Sequence, residues 1–373
     1  MRIIATDLID DTMKLAKPIY VGNCLILKKG AEKLTRYVRN LMNMNVRYLC
    51  VEDDQSEGIE IPETISNESR LVCKERLEST IQNLKQKQQF NIGGLYDCIN
   101  EIMQEVNKNS GVQISLLDLN STDEYTMTHC VNTMIYSIVI GKEMNLPSSV
   151  MEELSMGNLL HDIGKSFLKH EIIFKDGKLS NEEFEYVKQH PRYGYHVVKN
   201  LSNLSNASKD IVLHHHERLD GTGYPNKLKG DEISQLARIT AISDVYDALT
   251  TDRCYRKKWT TVKALDFLVE NAGPHLDISM VHSFMQLVAV YPTGSTVRLS
   301  DNRLAIVAEQ NRFTPLRPIV RVITDEYGNS VTPYDLDLMD ILSITIIDSE
   351  IEVTESKQNV AYSDSHMQKE SER

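Results

Sequence analysis

The stretch YTMTHCVNTMIYSIVIGK, residues 125–142, is apolar on most sides of any helix it could form. Tyr125, His129 and Tyr136 share one face, and Met127, Val131, Met134 and Ile138 share the opposite one. A helix that is apolar all round is a buried one, so the chain must supply further helices to enclose it. Helical patterns dominate from about Ser121 to Val290. In LSMGNLLHDIGK a stripe runs through Val150, Leu154, Gly157 and His161, and in ARITAISDVYDALTTDR another runs through Ala237, Ala241, Asp244 and Ala248. Ser149 with Glu152 and Ser180 with Glu183 predict capping boxes. Upstream, Leu71, Leu77, Ile81 and Leu84 recur at helical spacing between about Arg70 and Asn107.

The flanks differ. IYVGNCLIL and VRYLCVED are short β-like runs on either side of one helical pattern around Glu32–Met44. After Tyr291-Pro292, the segments STVRLS, RLAIVAEQ and PIVRVITDEYGN are β-branched, alternating and separated by turn residues. The expected fold is mainly α: an all-α domain over 119–290, with a small N-terminal α/β (α+β) module over 1–66 and a helical linker region over 67–118. A small C-terminal β module over 291–350 comes next, and the polar tail 351–373 is expected to be disordered.

Net charge narrows the partners. At −12 over 373 residues, the surface would repel a nucleic-acid polymer or an acidic membrane. A small anion remains open if basic residues gather locally. The six cysteines form no C-x-x-C pair, which speaks against a disulfide framework or thiolate zinc site and for a reducing compartment. The N-terminus is too often interrupted by charge for a signal peptide, and no apolar run reaches a membrane span. A cytoplasmic location is expected.

The chemistry concentrates in a few places. His161 lies on the core-facing stripe with Asp162 beside it, and Gly164 can end the helix just beyond. Asp244 falls among small apolar residues, where an unpaired carboxylate would cost several kcal/mol. A cation would remove that penalty, and so would local pairing with Arg238 or Arg253. His129, on the all-apolar helix, needs a partner from a second interface. His190 precedes Pro191 at an expected helix break. LHHHERLDGTGYP then sets His215 and His216 before Glu217 and a tight turn expected to be φ-positive at Gly221 and Gly223. Each could be a packed, hydrogen-bonded residue. His170, His196, His275, His282 and His366 lack acidic company and read as surface or packing histidines.

Together, His129, His161-Asp162, His190, His215-His216 and Asp244, with HDIGK and HHERLDGTGYP intact, closely resemble the HD-GYP family, a branch of the HD-type metal-dependent phosphohydrolases. The match spans roughly 120–275. The resemblance implies hydrolysis of cyclic di-GMP to pGpG, with GMP as a further product, by a metal-bridged hydroxide attacking phosphorus. His129, His161, Asp162 and Asp244 would hold one divalent ion, and Asp162 would bridge to a second held by His190 and His215, with His216. Iron or manganese is expected, with zinc, magnesium, nickel and cobalt open. Lys165 would face the scissile phosphate, Arg253 and Arg256 would contact substrate phosphates, and Tyr224 would belong to the signature loop at the substrate. Glu217 is one candidate acceptor for a ligand imidazole.

Three features depart from the family pattern. Tyr125 replaces a glutamate that holds a third metal in some members, so two metals are expected. RCYR stands for RPYR, and Leu168-Lys169 for the usual Ile-Pro. Alternatives are a phosphohydrolase for another nucleotide such as cyclic GMP-AMP, or a low-turnover dinucleotide sensor that signals to a partner. Loss of a core ligand would favour the sensor, and none is lost. A homodimer or a signalling-protein partner is left open.

Overall fold

The computed structural model describes residues 1–349 apart from 22–23, 45, 64, 87–91, 110–124, 176 and 252–258. The chain divides into two compact units, one of Met1–Pro62 together with the segment from Ala289 on, the other Glu63–Val288.

In the first unit, strands β1 (Arg2–Ala5), β2 (Lys14–Leu15) and β5 (Tyr48–Glu52) form a sheet in the order β1-β5-β2. A hairpin of β3 (Ile19–Val21) and β4 (Cys24–Leu27) and the helix α1 (Val38–Asn43) complete it. Its apolar residues meet in a core containing Ile4, Leu15, Leu34, Leu41 and Val51. Strands β6 (Thr296–Leu299), β7 (Leu304–Glu309), β8 (Ile319–Thr324), β9 (Ser330–Asp337) and β10 (Ile346–Ser349) build a five-stranded antiparallel sheet in the order β10-β6-β7-β8-β9. The sequence reading separated modules 1–66 and 291–350. The structure stitches them into one unit, with the Ile3 amide donating to the Gly294 carbonyl at 2.7 Å and Ile59 packed against Ile306 and Ile323.

The second unit is helical: α2 (Asn67–Lys85), α3 (Gly93–Lys108), α4 (Tyr125–Glu143), α5 (Ser148–Leu160), α6 (His170–Ile173), α7 (Asn181–Val187), α8 (His190–Val198), α9 (Asn206–His214), α10 (Gln235–Thr250), α11 (Thr261–Glu270) and α12 (Ile278–Leu287). As the apolar pattern requires, α4 is buried from His129 to Gly141 and packs on α2, α3, α5, α10 and α12. Tyr136 meets Tyr246 and Phe284 edge to face, with ring centroids 5.1 and 5.9 Å away. The Ser180–Glu183 capping box is present at α7. The one predicted at Ser149 is not: α5 starts at Ser148 with Pro147 as its N-cap, which leaves Ser149 inside the first turn.

Two close approaches at glycines bring the histidine-bearing helices together. A Cβ on Gly157 would lie 2.5 Å from Ile211, so α5 and α9 touch there. A Cβ on Gly164 would lie 1.9 Å from the His190 carbonyl oxygen, so the 3-10 turn Ile163–Phe167 sits directly on the start of α8.

Candidate metal centre

Each histidine of the site stands where a helix begins, ends or is buried, and in four of them one nitrogen is already committed. His161 follows the last residue of α5, and its Nδ1 lies 2.6 Å from the Asn158 carbonyl. At the start of α8, His190 Nδ1 is 2.8 Å from the Val187 carbonyl. His215, just after α9, sets its Nδ1 3.1 Å from the Ile211 carbonyl. On α4, His129 Nδ1 is 2.6 Å from Asp247 Oδ2. A carbonyl or carboxylate oxygen can only accept, so in each ring Nδ1 donates and, in the neutral form, Nε2 carries the lone pair.

Those Nε2 atoms converge on two carboxylates. Asp162 Oδ2 lies 3.6 Å from His129 Nε2 and 3.5 Å from His161 Nε2, while its Oδ1 lies 3.2 Å from His190 Nε2 and 3.9 Å from His215 Nε2. Asp244, on α10, reaches His129 Nε2 at 3.0 Å through Oδ1 and His216 Nδ1 at 3.5 Å through Oδ2. Two donor groups result, one of His129, His161 and Asp162, the other of Asp162, His190, His215 and His216, and they share Asp162.

The electrostatics of this cluster calls for added positive charge. His190 Nε2 and His215 Nε2 face each other at 3.2 Å, two lone pairs that repel unless a proton or a cation lies between them. His161 Nε2 is buried and, among the described residues, has no hydrogen-bond partner. Burial lowers the pKa of His161, takes His215 well below the imidazole range and His216 to about 3, so these rings are neutral ligands at pH 7. Burial also opposes a charge on His129, but Asp244 and Asp247 outweigh it and raise that ring to about 9. A proton there does what a bound cation would do. Burial likewise opposes ionisation of Asp162 and Asp244. Lys165 and the imidazoles nevertheless hold Asp162 well below the carboxylate range, and His129 and His216 do so for Asp244. The residues fit divalent cations held by neutral imidazole and carboxylate, with no thiolate in either donor group.

The other residues expected at the site divide between the cluster and its surroundings. Lys165 lies against the cluster, its Nζ 2.6 Å from Asp162 Oδ2. The Tyr224 ring stacks obliquely on His216, with centroids 4.7 Å apart and planes 32° apart. Arg253 and Arg256 lie outside the described residues. Arg238 pairs with Asp277 rather than Asp244. Glu217 is not an acceptor for a ligand imidazole: its two oxygens accept the Asn226 and Leu228 amides at 2.6 and 3.0 Å and so hold the signature loop. Within that loop Gly221 has a φ of +81°, but Gly223 is not φ-positive. Gly223 is required instead because its Cβ would lie 2.4 Å from the Arg218 nitrogen. His214, first of the three consecutive imidazoles, pairs with Asp210 at 2.7 Å, away from the cluster.

Asp247 escaped the sequence reading. It takes His129 on Oδ2 and Asn132 Nδ2 at 2.8 Å on Oδ1, and it is buried. Its one signal was a second aspartate three residues after Asp244, on nearly the same helix face.

Residues 111–280 match the family model described as an HD domain, and residues 296–358 the one described as a KOW domain associated with HD domain. The helical part of the chain belongs to the HD-domain family. Among relatives of this HD-domain chain, a cyclic di-GMP phosphodiesterase of Pseudomonas aeruginosa is 37% identical over 68% of this chain and 61% of that one. A 3'3'-cGAMP-specific phosphodiesterase of Vibrio cholerae is 30% identical over 53% of this chain and 38% of that one. An HDGYP protein solved from Bdellovibrio bacteriovorus is 15% identical, with a TM-score of 0.47 over 76% of this chain and 97% of that one. The chain thus spans about six-tenths or less of the length of these two curated relatives. Among the described residues, no helix is long and apolar enough to cross a membrane.

Proposed function

We propose that this HD-domain chain is a metal-dependent phosphodiesterase that opens cyclic di-GMP to linear pGpG and can cleave that product onward to GMP. The observation that carries the reading is Asp162, a buried carboxylate shared by two groups of inward-facing imidazoles. In this reading His129, His161, Asp162 and Asp244 hold one divalent ion, and Asp162, His190, His215 and His216 hold the other. The donor set favours iron or manganese, since imidazole with carboxylate suits both. Such ions, when bound, supply Lewis acidity toward a phosphoryl oxygen and lower the pKa of water.

The chain's own residues do the rest. Asp162 offers its lone pairs to cations on both sides and is therefore no general base. Asp247 and the carbonyls of Asn158, Val187 and Ile211 hold Nδ1 as the donor in the four rings, so each ring, when neutral, directs its Nε2 lone pair inward, and a bound cation would take the place of the His129 proton. Lys165 holds Asp162 from one side and, as a cation beside the cluster, opposes charge growing on the non-bridging phosphate oxygens. Arg253 and Arg256 are assigned to the substrate phosphates and Tyr224 to the substrate side of the signature loop. We place the protein in a reducing, cytoplasmic setting, since its six cysteines form no C-x-x-C pair.

The test is metal analysis of anaerobically purified protein, followed by a cyclic di-GMP hydrolysis assay with each candidate ion. The expected result is close to two ions per chain, activity restored by iron or manganese, and none from Asp162→Ala. An Asp162→Ala protein that cleaves at the parent rate would overturn the reading. Cleavage of cyclic GMP-AMP in preference to cyclic di-GMP would instead favour the substrate named for the Vibrio cholerae relative.

A further inference from the structure

Beside the metal cluster, four side chains outside the ligand set come together. Tyr224 lies over His216 and 6.4 Å from the His190 ring. Lys188, two residues before His190, holds its Nζ 4.7 Å from the Phe184 ring centroid and 5.7 Å from that of Tyr224. Glu185 accepts from Lys188 Nζ at 2.6 Å. Phe184 is 48% exposed. The Glu185 side chain is 66% exposed, so its ion pair with Lys188 is screened and readily exchanged for another partner.

We propose that Phe184, Glu185, Lys188 and Tyr224 form a guanine subsite at the mouth of the metal centre. The proposal rests on the phosphodiesterase reading and adds what selects the base. Aromatic faces stack any nucleobase; the neighbouring acid–base pair supplies the choice. Guanine offers acceptors at O6 and N7, which an ammonium group reads, and adenine puts an amino donor in place of O6. Next to O6, guanine carries the N1 and N2 donors, which a carboxylate accepts. Lys188 and Glu185 present a donor and an acceptor side by side, 2.6 Å apart. Adenine would set its amino group against the ammonium of Lys188 and leave the carboxylate facing a ring acceptor.

The test uses the full chain loaded with manganese and titrated by calorimetry with GMP and with AMP, alongside cyclic di-GMP cleavage. The parent should bind GMP about tenfold more tightly than AMP, at the lower end of what one bidentate base contact confers. Lys188→Met keeps the stem over Phe184 and removes the cation; Glu185→Gln removes the charge and keeps the shape. Each should bring the GMP-to-AMP ratio toward one, chiefly by weakening GMP. Glu185 is exposed, and the methionine in Lys188→Met keeps the packing of the half-buried lysine stem, so the fold should survive either change. If the parent ratio is near one, or if the variants weaken both nucleotides equally, the subsite is wrong while cleavage by the parent leaves the phosphodiesterase reading standing. A metal-loaded parent that cleaves no cyclic dinucleotide overturns both.

Discussion

Replacing Gly164 by alanine should separate the two halves of the metal centre without replacing a ligand. The added Cβ would lie 1.9 Å from the His190 oxygen, 2.6 Å from the Gly194 nitrogen and 2.8 Å from the His190 carbonyl carbon. All three atoms are backbone, so no side-chain rotation relieves the clash. Real Cβ contacts do not fall below 3.0 Å, so α8 must retreat by about 1.1 Å from the 3-10 turn, a distance set by hard-core packing. The retreat carries His190 away from Asp162 Oδ1, now 3.2 Å from its Nε2. A shift of that size is about half the length of a metal–nitrogen bond. Overpacking of this kind costs about 1–3 kcal/mol. For a unit of this size that lowers the melting temperature by roughly 2–12 °C. A misplacement of about 1 Å at a reacting centre costs on the order of 100-fold in rate. Thermal melts, metal counts by mass spectrometry and cyclic di-GMP hydrolysis would be read together. The expected outcome is a folded, destabilised protein that keeps the ion on the His129 side and loses the one on the His190 side. Gly94→Ala is the control: among the described residues its Cβ meets only Arg76, at 3.9 Å, and an alanine there should be neutral or stabilise α3 by up to about 1 kcal/mol. A Gly164→Ala protein with parental melting temperature, two ions and full rate would refute the claim that this contact sets the distance between the donor groups.

The same geometry carries further outcomes. Asp247→Asn should keep the fold and weaken metal binding by about 10–100-fold, because the His129 ring loses its anionic partner; titration with a competing chelator measures it. His215→Ala should remove one ion, whereas His214→Ala should remove none, since His214 is held by Asp210 and Asn226; metal analysis separates the two. In Glu217→Gln an amide nitrogen meets one of the Asn226 and Leu228 donors, so hydrogen exchange at those amides should quicken. The metal-free protein should be most stable near pH 6.5. Its His161, His215 and His216 have folded pKa values below the unfolded value of about 6.5, so the unfolded chain binds more protons and stability falls as pH drops through that point. His129 runs the other way: its contribution is whole below about 6.5 and is lost as pH rises through about 9. Urea midpoints at pH 5, 6.5 and 9.5 that rise steadily with pH would contradict the His129 assignment.

The proposed ligand set is legible in the order and spacing of HDIGK, HHERLDGTGYP, His129, His190 and Asp244 taken together, since each of these residues alone reads equally as a packed, hydrogen-bonded one. What the sequence hid was pairwise. Ser149 could not be known to start one position too late, because Pro147 opens α5 from outside the capping pattern. Glu217 sits beside the imidazoles in sequence, yet the bend through Gly221 and Gly223 folds its own loop back onto it, and two backbone amides claim the carboxylate. Asp247 looked like a repeat of Asp244 until α4 packed against α10 and brought His129 within 2.6 Å. The glycines carry the largest hidden content. Gly157, Gly164 and Gly194 have no positive φ and could each be replaced as far as local conformation goes. Their Cβ positions are taken by Ile211, by the backbone of His190 and by Val212. They are the places where α5, the 3-10 turn, α8 and α9 press together. A ligand motif states which atoms can grip a cation, but whether they grip one together depends on interhelical distances, and in this fold those distances are set by residues that have no side chain to announce it.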